Sequence, residues 1–242
     1  MRRKEIEMEQ GMYKIEMHAH TSDTSPCAHV SAADMIHAMA EAGYDIVVVT
    51  DHFSRYVMSR FTGTPEEKVT RYLQGYREAC RAGEKEGIRV FLGAEVNLHR
   101  VGKEDYLLYG ITEQFLYDHP QMYDYTLKEL FEACVKANVL VVQAHPCRSY
   151  CAPADANYLH GVELINTNPR HDNGNQKAEI WLKEQEAAGH QLITTCGSDY
   201  HQLEDIGGGG IRTARPLKDV VELAELLRSG EYELRKEGIA LL

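Results

Sequence analysis

The strongest constraint on the fold is an alternation along the chain. Runs such as DIVVVTDH (45–52) and VVQAHP (141–146) are almost continuously apolar until polar residues end them. Short runs of this kind suit strands covered on both faces, and the stretches between them carry helical punctuation. Strand candidates are 13–17, 46–50, 90–96, 106–109, 140–144, 162–165 and 192–195; helix candidates are 31–42, 66–86, 127–138, 176–188 and 217–229. Ser31 with Asp34 three residues on reads as a helix start, Gly43 and Gly189 as helix ends, and Pro216 precedes the last helix. Strands alternating with helices argue for a parallel α/β fold. Seven strands suit either a barrel or a doubly wound sheet, and the pattern leaves both open.

With 242 residues and neither a linker nor a repeat, one domain over 1–242 is expected. No run approaches the eighteen apolar residues of a bilayer span, and MRRKEIEMEQGM lacks the apolar centre of a signal peptide. The expectation is a cytoplasmic protein without a membrane partner, its six scattered cysteines reduced. A net charge of −11 repels a phosphate backbone, so extended nucleic acid is excluded as a partner unless the field is inverted locally. Bound divalent cations would do that.

The placing of the ionisable residues is what carries chemistry. His18 and His20 follow the first strand, Asp51 and His52 the second, Glu95 ends the third, His145 follows the fifth, and Asp199 and His201 follow the seventh. In parallel α/β proteins the C-terminal strand ends share one mouth, so these residues would converge. Alone, HxH reads as a surface pair, TDH as a helix start and GSDYH as a turn. Five strand ends each bearing His, Asp or Glu point instead to a shared partner, since buried ionisable groups need one. Residues i and i+2 of a strand lie about 6.6 Å apart on one face, so His18 and His20 can grip one ion. Imidazole with carboxylate favours zinc, manganese or iron, with magnesium less suited. A carboxylate such as Glu95 or Asp199 can bridge two ions, so more than one metal is expected.

HAH, VTDH, GAEV, QAHP and GSDYH, in that order, resemble the polymerase and histidinol phosphatase (PHP) superfamily of metal-dependent phosphoesterases. The likeness covers residues 13–205. It implies a distorted seven-stranded parallel β/α barrel with two or three divalent ions at the C-terminal mouth of the strands. Carried over, it makes His18, His20, Glu95 and Asp199 ligands of one ion, with Glu95 bridging to a second held by His145, and His52 and His201 holding a third. The chain departs from the family twice. After the fourth strand it reads YGIT where a Gly-x-His context is usual, which leaves His99 or His119 as substitutes. Five and six residues past HxH stand Ser25 and Pro26 in place of a ligand, while Asp23 and His29 flank the gap as possible additional ligands and Cys27 lies between them. Should the third site stay empty, His52 and His201 are the catalytic proton donors.

Two ions about 3.5–4 Å apart turn a bridging water into hydroxide near neutral pH, without a protein nucleophile. The chain accordingly has no GxSxG elbow and no P-loop. Arg148 after strand five, with Arg170 and His171 after strand six, are the candidates for binding phosphate oxygens. The reading is a phosphomonoesterase acting on a small phosphorylated substrate such as histidinol phosphate, a nucleotide or a sugar phosphate. The alternatives are a metal-dependent amide or lactone hydrolase and a non-catalytic metal-binding module.

Overall fold

The computed structural model describes residues 11–100 and 102–235. The apolar runs form β1 (Tyr13–Ala19), β2 (Ile46–Val49), β4 (Arg89–Leu92), β5 (Ala94–Asn97), β6 (Asp105–Tyr109), β7 (Leu140–Gln143), β8 (Gly161–Asn166) and β9 (Ile193–Gly197). Short strands β3 (His52–Phe53), β10 (Ile211–Thr213) and β11 (Glu233–Leu234) add to them. The helices are α1 (Ala32–Glu41), α2 (Arg55–Ser59), α3 (Pro65–Tyr72), α4 (Gln74–Glu86), α5 (Glu113–Asp118), α6 (Leu127–Lys136), α7 (Asn175–Ala187) and α8 (Val220–Ser229). Among the described residues no helix is long and apolar enough to cross a membrane.

Local chemistry sets the helix ends. The Ser31 hydroxyl accepts from Asp34 N at the start of α1, and Thr64 with Glu67 forms a capping box on α3 with Pro65 in the first turn. The helix expected over 66–86 is two helices, broken at Leu73, whose ψ of −3° turns the chain. The last helix starts at Val220, where the Asp219 side chain caps it, and Leu217 packs into the core instead of the helix.

Two sheets form, in the orders β11-β10-β1-β2-β4 and β3-β5-β6-β7-β8-β9. The chain passes from the first to the second within two runs, from β2 across Thr50 and Asp51 to β3, and from β4 across Gly93 to β5. A Cβ on Gly93 would stand 2.8 Å from Thr50 Cγ2, 2.9 Å from Val48 Cγ1 and 3.2 Å from Leu108 O, so only glycine lets the run kink between sheets. On the other side, Tyr200 N donates to His18 O (3.1 Å) and His20 N to Tyr200 O (2.9 Å), a single bridge between the ends of β1 and β9.

This corrects the expected all-parallel seven-stranded barrel. The fold is mixed α/β with two sheets, no continuous closed ladder among the described residues, and β6 antiparallel to both β5 and β7. The reason is the β5–β6 connection, residues 98–104: a parallel return needs a dozen residues or more, and this loop has no helix to supply them. The added pair β10 and β11 is antiparallel as well.

Alternation along β6 and β7 feeds two cores. Leu107, Tyr109, Leu140 and Val142 meet Ile15, Met17, Ile46 and Val48 between the sheets, closed by Leu223, Leu226 and Leu227 of α8. Tyr106, Leu108 and Val141 face the other way, onto Leu116 and Leu130 of α5 and α6. Outside β2, Val47 and Val49 pack on Met35, Ile36 and Met39 of α1. Burial on both faces is why these strands read as unbroken apolar runs. Gly93→Ala should therefore destabilise the protein by about 1–3 kcal/mol through overpacking. Urea denaturation would measure it as a fall in midpoint at unchanged slope.

Candidate metal centre

His18 is the penultimate residue of β1 and His20 lies just past it, His52 opens β3, Glu95 sits in β5, His145 follows β7, and Asp199 and His201 follow β9. The structure brings all seven together. Their ligating atoms form overlapping groups within 4.8 Å: His18, His20 and Asp199; His18, Glu95 and His145; His20, His52 and His201; His52, Glu95 and Asp105. The backbone concentrates its exceptions here. His145 has φ +29° and Asp199 φ +50°, two of the three non-glycine residues with positive φ among the described residues. Gly197 has no room for a side chain because His18 Cβ and Glu163 Oε1 occupy the space.

Glu95, fully buried, is the hub. Its Oε1 lies 3.3 Å from His18 Nε2 and 3.1 Å from His145 Nε2; its Oε2 lies 3.4 Å from His20 Nε2 and 2.8 Å from His52 Nδ1. Asp199 Oδ1 lies 3.4 Å from His18 Nε2, 3.5 Å from His20 Nε2 and 3.4 Å from His201 Nδ1. Despite these approaches, His18 Nε2, His20 Nε2 and Glu95 Oε2 are buried with no hydrogen bond. Bare lone pairs facing one another out of water are costly, and a shared cation would satisfy them. Imidazole nitrogen with carboxylate oxygen is also the donor set of zinc, manganese and iron, so these residues fit divalent ions of that kind.

A second ring of contacts aims the ligands. Glu163 Oε1 accepts the His18 Nδ1 proton at 2.9 Å, turning Nε2 toward Glu95 and Asp199; Glu163 Oε2 accepts from His145 N and Asn166 Nδ2, both at 2.9 Å. His201 donates its Nδ1 proton to Asp199 O at 2.8 Å. Asp51 is tied down by Thr21 N (2.7 Å), Thr21 Oγ1 (2.8 Å) and Ser25 Oγ (2.7 Å), and Ser25 Oγ accepts from His52 N (3.0 Å). Burial pushes the Asp51 carboxyl up to about 6.

The field sorts the histidines. Burial opposes charge on His18, but Glu163, Asp199 and Glu95 outweigh it and raise its pKa. Burial and the neighbouring charges of His201 and His52 lower that of His20. Burial works against the Glu95 carboxylate, and His52 and His18 overcome it, holding the group well below the usual range. Asp105 is pushed up to about 6 by burial and by Glu95.

The phosphate candidates divide. Arg148 is buried, donating to Asp199 Oδ2 (2.7 Å), Asn173 Oδ1 (2.8 Å) and Asn166 Oδ1 (3.1 Å). Arg170 is exposed, its fork on Asp205 Oδ1 and Oδ2 at 2.8 Å each, and Asp205 also accepts from His201 N (2.9 Å). His171 is exposed beside it. Asp23 accepts from Ala32 N (2.7 Å) at the start of α1, and His29 is exposed; neither joins the clusters. His119 bonds Tyr125 Oη (3.1 Å) in a cleft of about 390 Å³ that holds none of the centre's residues. His99 lines a cavity of about 340 Å³ with Cys27, His52, Arg55 and Tyr56, next to the centre.

Two residues escaped the sequence reading, Asp105 and Glu163. Asp105 opens β6, and because that strand runs antiparallel its start, not the YGIT after it, lies at the centre. A seven-residue gap before an apolar run was the available signal. Glu163 stands inside GVELIN, where a lone acid in a buried strand is itself the sign. Cys27, which the sequence sets between Asp23 and His29, lines the cavity with His52, on the side of the centre that also holds His201. Burial raises its thiol, but hydrogen bonds from these two rings outweigh that and bring it down to about 6.

DNA polymerase III PolC-type of Bacillus cereus is 23% identical over 238 residues, 90% of this chain and 15% of the polymerase, so the chain spans a small part of that relative's length. A two-domain protein from Bacteroides vulgatus, containing a predicted PHP-like metal-dependent phosphoesterase, superposes with TM-score 0.64 at 15% identity, over 93% of this chain and 65% of that one. An amidohydrolase from Chromobacterium violaceum, solved with sulfate and without metal, gives TM-score 0.57 at 15% identity, over 88% of this chain and 96% of that one. These two likenesses are of fold. The family model described as PHP domain matches residues 16–204, from Glu16 in β1 to Glu204 just past His201. The chain belongs to the PHP domain family.

Proposed function

We propose that the chain is a metal-dependent hydrolase of small phosphate esters. The observation that carries this reading is the Glu95 carboxylate, buried among four imidazoles whose inward nitrogens include two without a hydrogen bond. His18, His20, Glu95 and Asp199 would hold one ion, Glu95 and His145 a second, and His52 and His201 a third. Asp105 takes the part of the histidine missing after the fourth strand. When bound, such ions polarise a phosphoryl oxygen and make water nucleophilic near neutral pH.

The chain's own residues supply the rest. Glu163 fixes the His18 tautomer, and Arg148 acts through Asp199, fixing Oδ2 so that Oδ1 faces His18 and His20. Where no third ion binds, His52 and His201, with 23% and 12% of their side chains exposed, are free to pass a proton to the leaving oxygen. Arg170 and His171 at the surface would meet non-bridging oxygens. A neighbouring cavity of about 340 Å³ suits a small leaving group, and the net charge of −11 weighs against a polyanion. The substrate is accordingly a small phosphomonoester in a cytoplasmic setting.

A second reading is amide or lactone hydrolysis, favoured by one observation: both arginines already answer to carboxylates, Asp199 and Asp205. Arg170→Ala separates the two, because it should raise KM for an aryl phosphate by about 10-fold, the worth of a charge-assisted hydrogen bond. An amide or lactone substrate would be unaffected. For the metal reading, treatment with a chelator should abolish turnover of an aryl phosphate, and manganese, zinc or iron should restore it. A panel of esters without turnover under all three metals would overturn the proposal. Glu163→Gln should lower metal affinity by about 10–100-fold while the fold is retained, read by competition with a chromogenic chelator and by circular dichroism.

A further inference from the structure

His18 and His20 point into the mouth only because β1 breaks its own alternation. Upstream, Ile15 and Met17 pack between the sheets, while Glu16 pairs with Val47, on the face that Val47 and Val49 turn to α1. A regular strand would keep Glu16, His18 and His20 together on that outer face. Instead Ala19 joins the core against α1, opposite Val49. Glu16 and Ala19 are three residues apart and can share a face only if one residue between them is extra. The β1–β2 register does shift there: Glu16 pairs with Val47 and Ala19 with Val49, so Met17 and His18 together oppose Val48. That is a β-bulge, and it moves both histidines to the inner face.

A bulge disrupts the ladder, and here the side chain just before it takes the freed backbone donors. Glu16 Oε1 accepts from Met17 N and from His18 N, each at 3.0 Å. The same oxygen accepts at 2.9 Å from the N–H of Ser198, the residue before Asp199. β1 and β9 lie in different sheets and share no ladder, only the single bridge at Ala19 and Tyr200, so this oxygen is a second tie across the seam. Gly209 packs on the same turn, where a Cβ would stand 2.4 Å from Ser198 N and 2.5 Å from Gly197 C. Glu16 is fully buried and its other oxygen makes no hydrogen bond, so the whole hold passes through Oε1.

We propose that Glu16 is a positioning residue: by tying the bulge to the turn before Asp199, it sets His18 and Asp199 at the spacing with which they share one ion. The inference rests on the metal-dependent reading above. Asp199 Oδ1 lies 3.4 Å from His18 Nε2, although the two residues come from different sheets. Glu16 bonds the backbone that carries these side chains, whereas Glu163 bonds the His18 ring itself.

Metal affinity of the metal-free, full-length chain tests this, read with zinc or manganese by competition with a chromogenic chelator, beside kcat and KM for an aryl phosphate. Glu16→Ala should weaken binding by about 10–100-fold and lower kcat, with KM near native because no substrate contact is lost. Glu16→Gln keeps an oxygen for the three N–H groups and should restore most of both. Leu223→Ala, which opens the core under α8, is the control for stability alone and should leave affinity native. Glu16→Asp, too short to span both strands, covers the case in which Glu16→Ala does not fold, and should weaken binding as well. Native affinity in Glu16→Ala or Glu16→Asp, a Glu16→Gln as impaired as Glu16→Ala, or an equal loss in Leu223→Ala would overturn this inference while the metal centre stands. A native chain that takes up neither metal would remove both.

Discussion

A carboxylate taken wholly out of water is among the costliest groups a fold can contain, and Glu95 is such a group. Desolvation of a single ion costs several kcal/mol, and removing one partner of a buried pair typically costs about 3–5 kcal/mol, so Glu95 dictates what surrounds it. Four imidazoles, two from the end of β1 and one each beside β3 and β7, surround it. They cannot all be protonated at once so close together, which is why burial and like charges lower His20 while nearby carboxylates raise His18. The arrangement is asymmetric before any ion arrives.

The strand breaks follow from the same constraint. Glu95 pairs directly with His52 across β3 and β5, a register set by kinking one run at Thr50–Asp51 and the other at Gly93. Straight continuations of β2 and β4 would stay within the first sheet and carry both residues away from β6 to β9. The positive φ at His145 and Asp199 likewise turns the chain just past β7 and β9, where both residues meet the cluster. Backbone strain at these two residues is a cost the surroundings hold in place, and it serves, with the glycine kink, the convergence of the polar residues rather than the packing of the core.

Much of this was legible in the sequence because two signals coincided. Apolar runs located the strands, and polar residues ending those runs located the mouth, so His18, His20, His52, Glu95, His145, Asp199 and His201 stood out by position. What stayed hidden depended on direction and register. The antiparallel course of β6 puts Asp105, a residue that begins a strand, where a strand end was expected. Glu163 was masked by an otherwise ordinary strand, and its role appears only once His18 is seen across from it. Counting five or six residues past His20 finds Ser25 and Pro26, and Ser25 serves there by bonding Asp51 and His52 N. Spacing rules read a loop as if it had a fixed rise per residue, and loops do not.

Exposure across the centre runs in one direction. His18, His20 and Glu95 are sealed, His201 and His52 are open to a small degree, and Cys27 is exposed at the edge of the cavity shared with His99 and Tyr56. Water, protons and a substrate can therefore approach from the side of His52, His201 and part-exposed Asp105, which groups with His52, whereas Arg148, Asn166 and Asn173 fill the space behind Asp199. In the proposed reaction that side must carry both proton transfer and recognition of the leaving group. Variation among Arg55, Tyr56 and His99, which touch the cavity but none of the buried carboxylates, is then the route by which substrate choice can change without disturbing the charges that hold Glu95 in place.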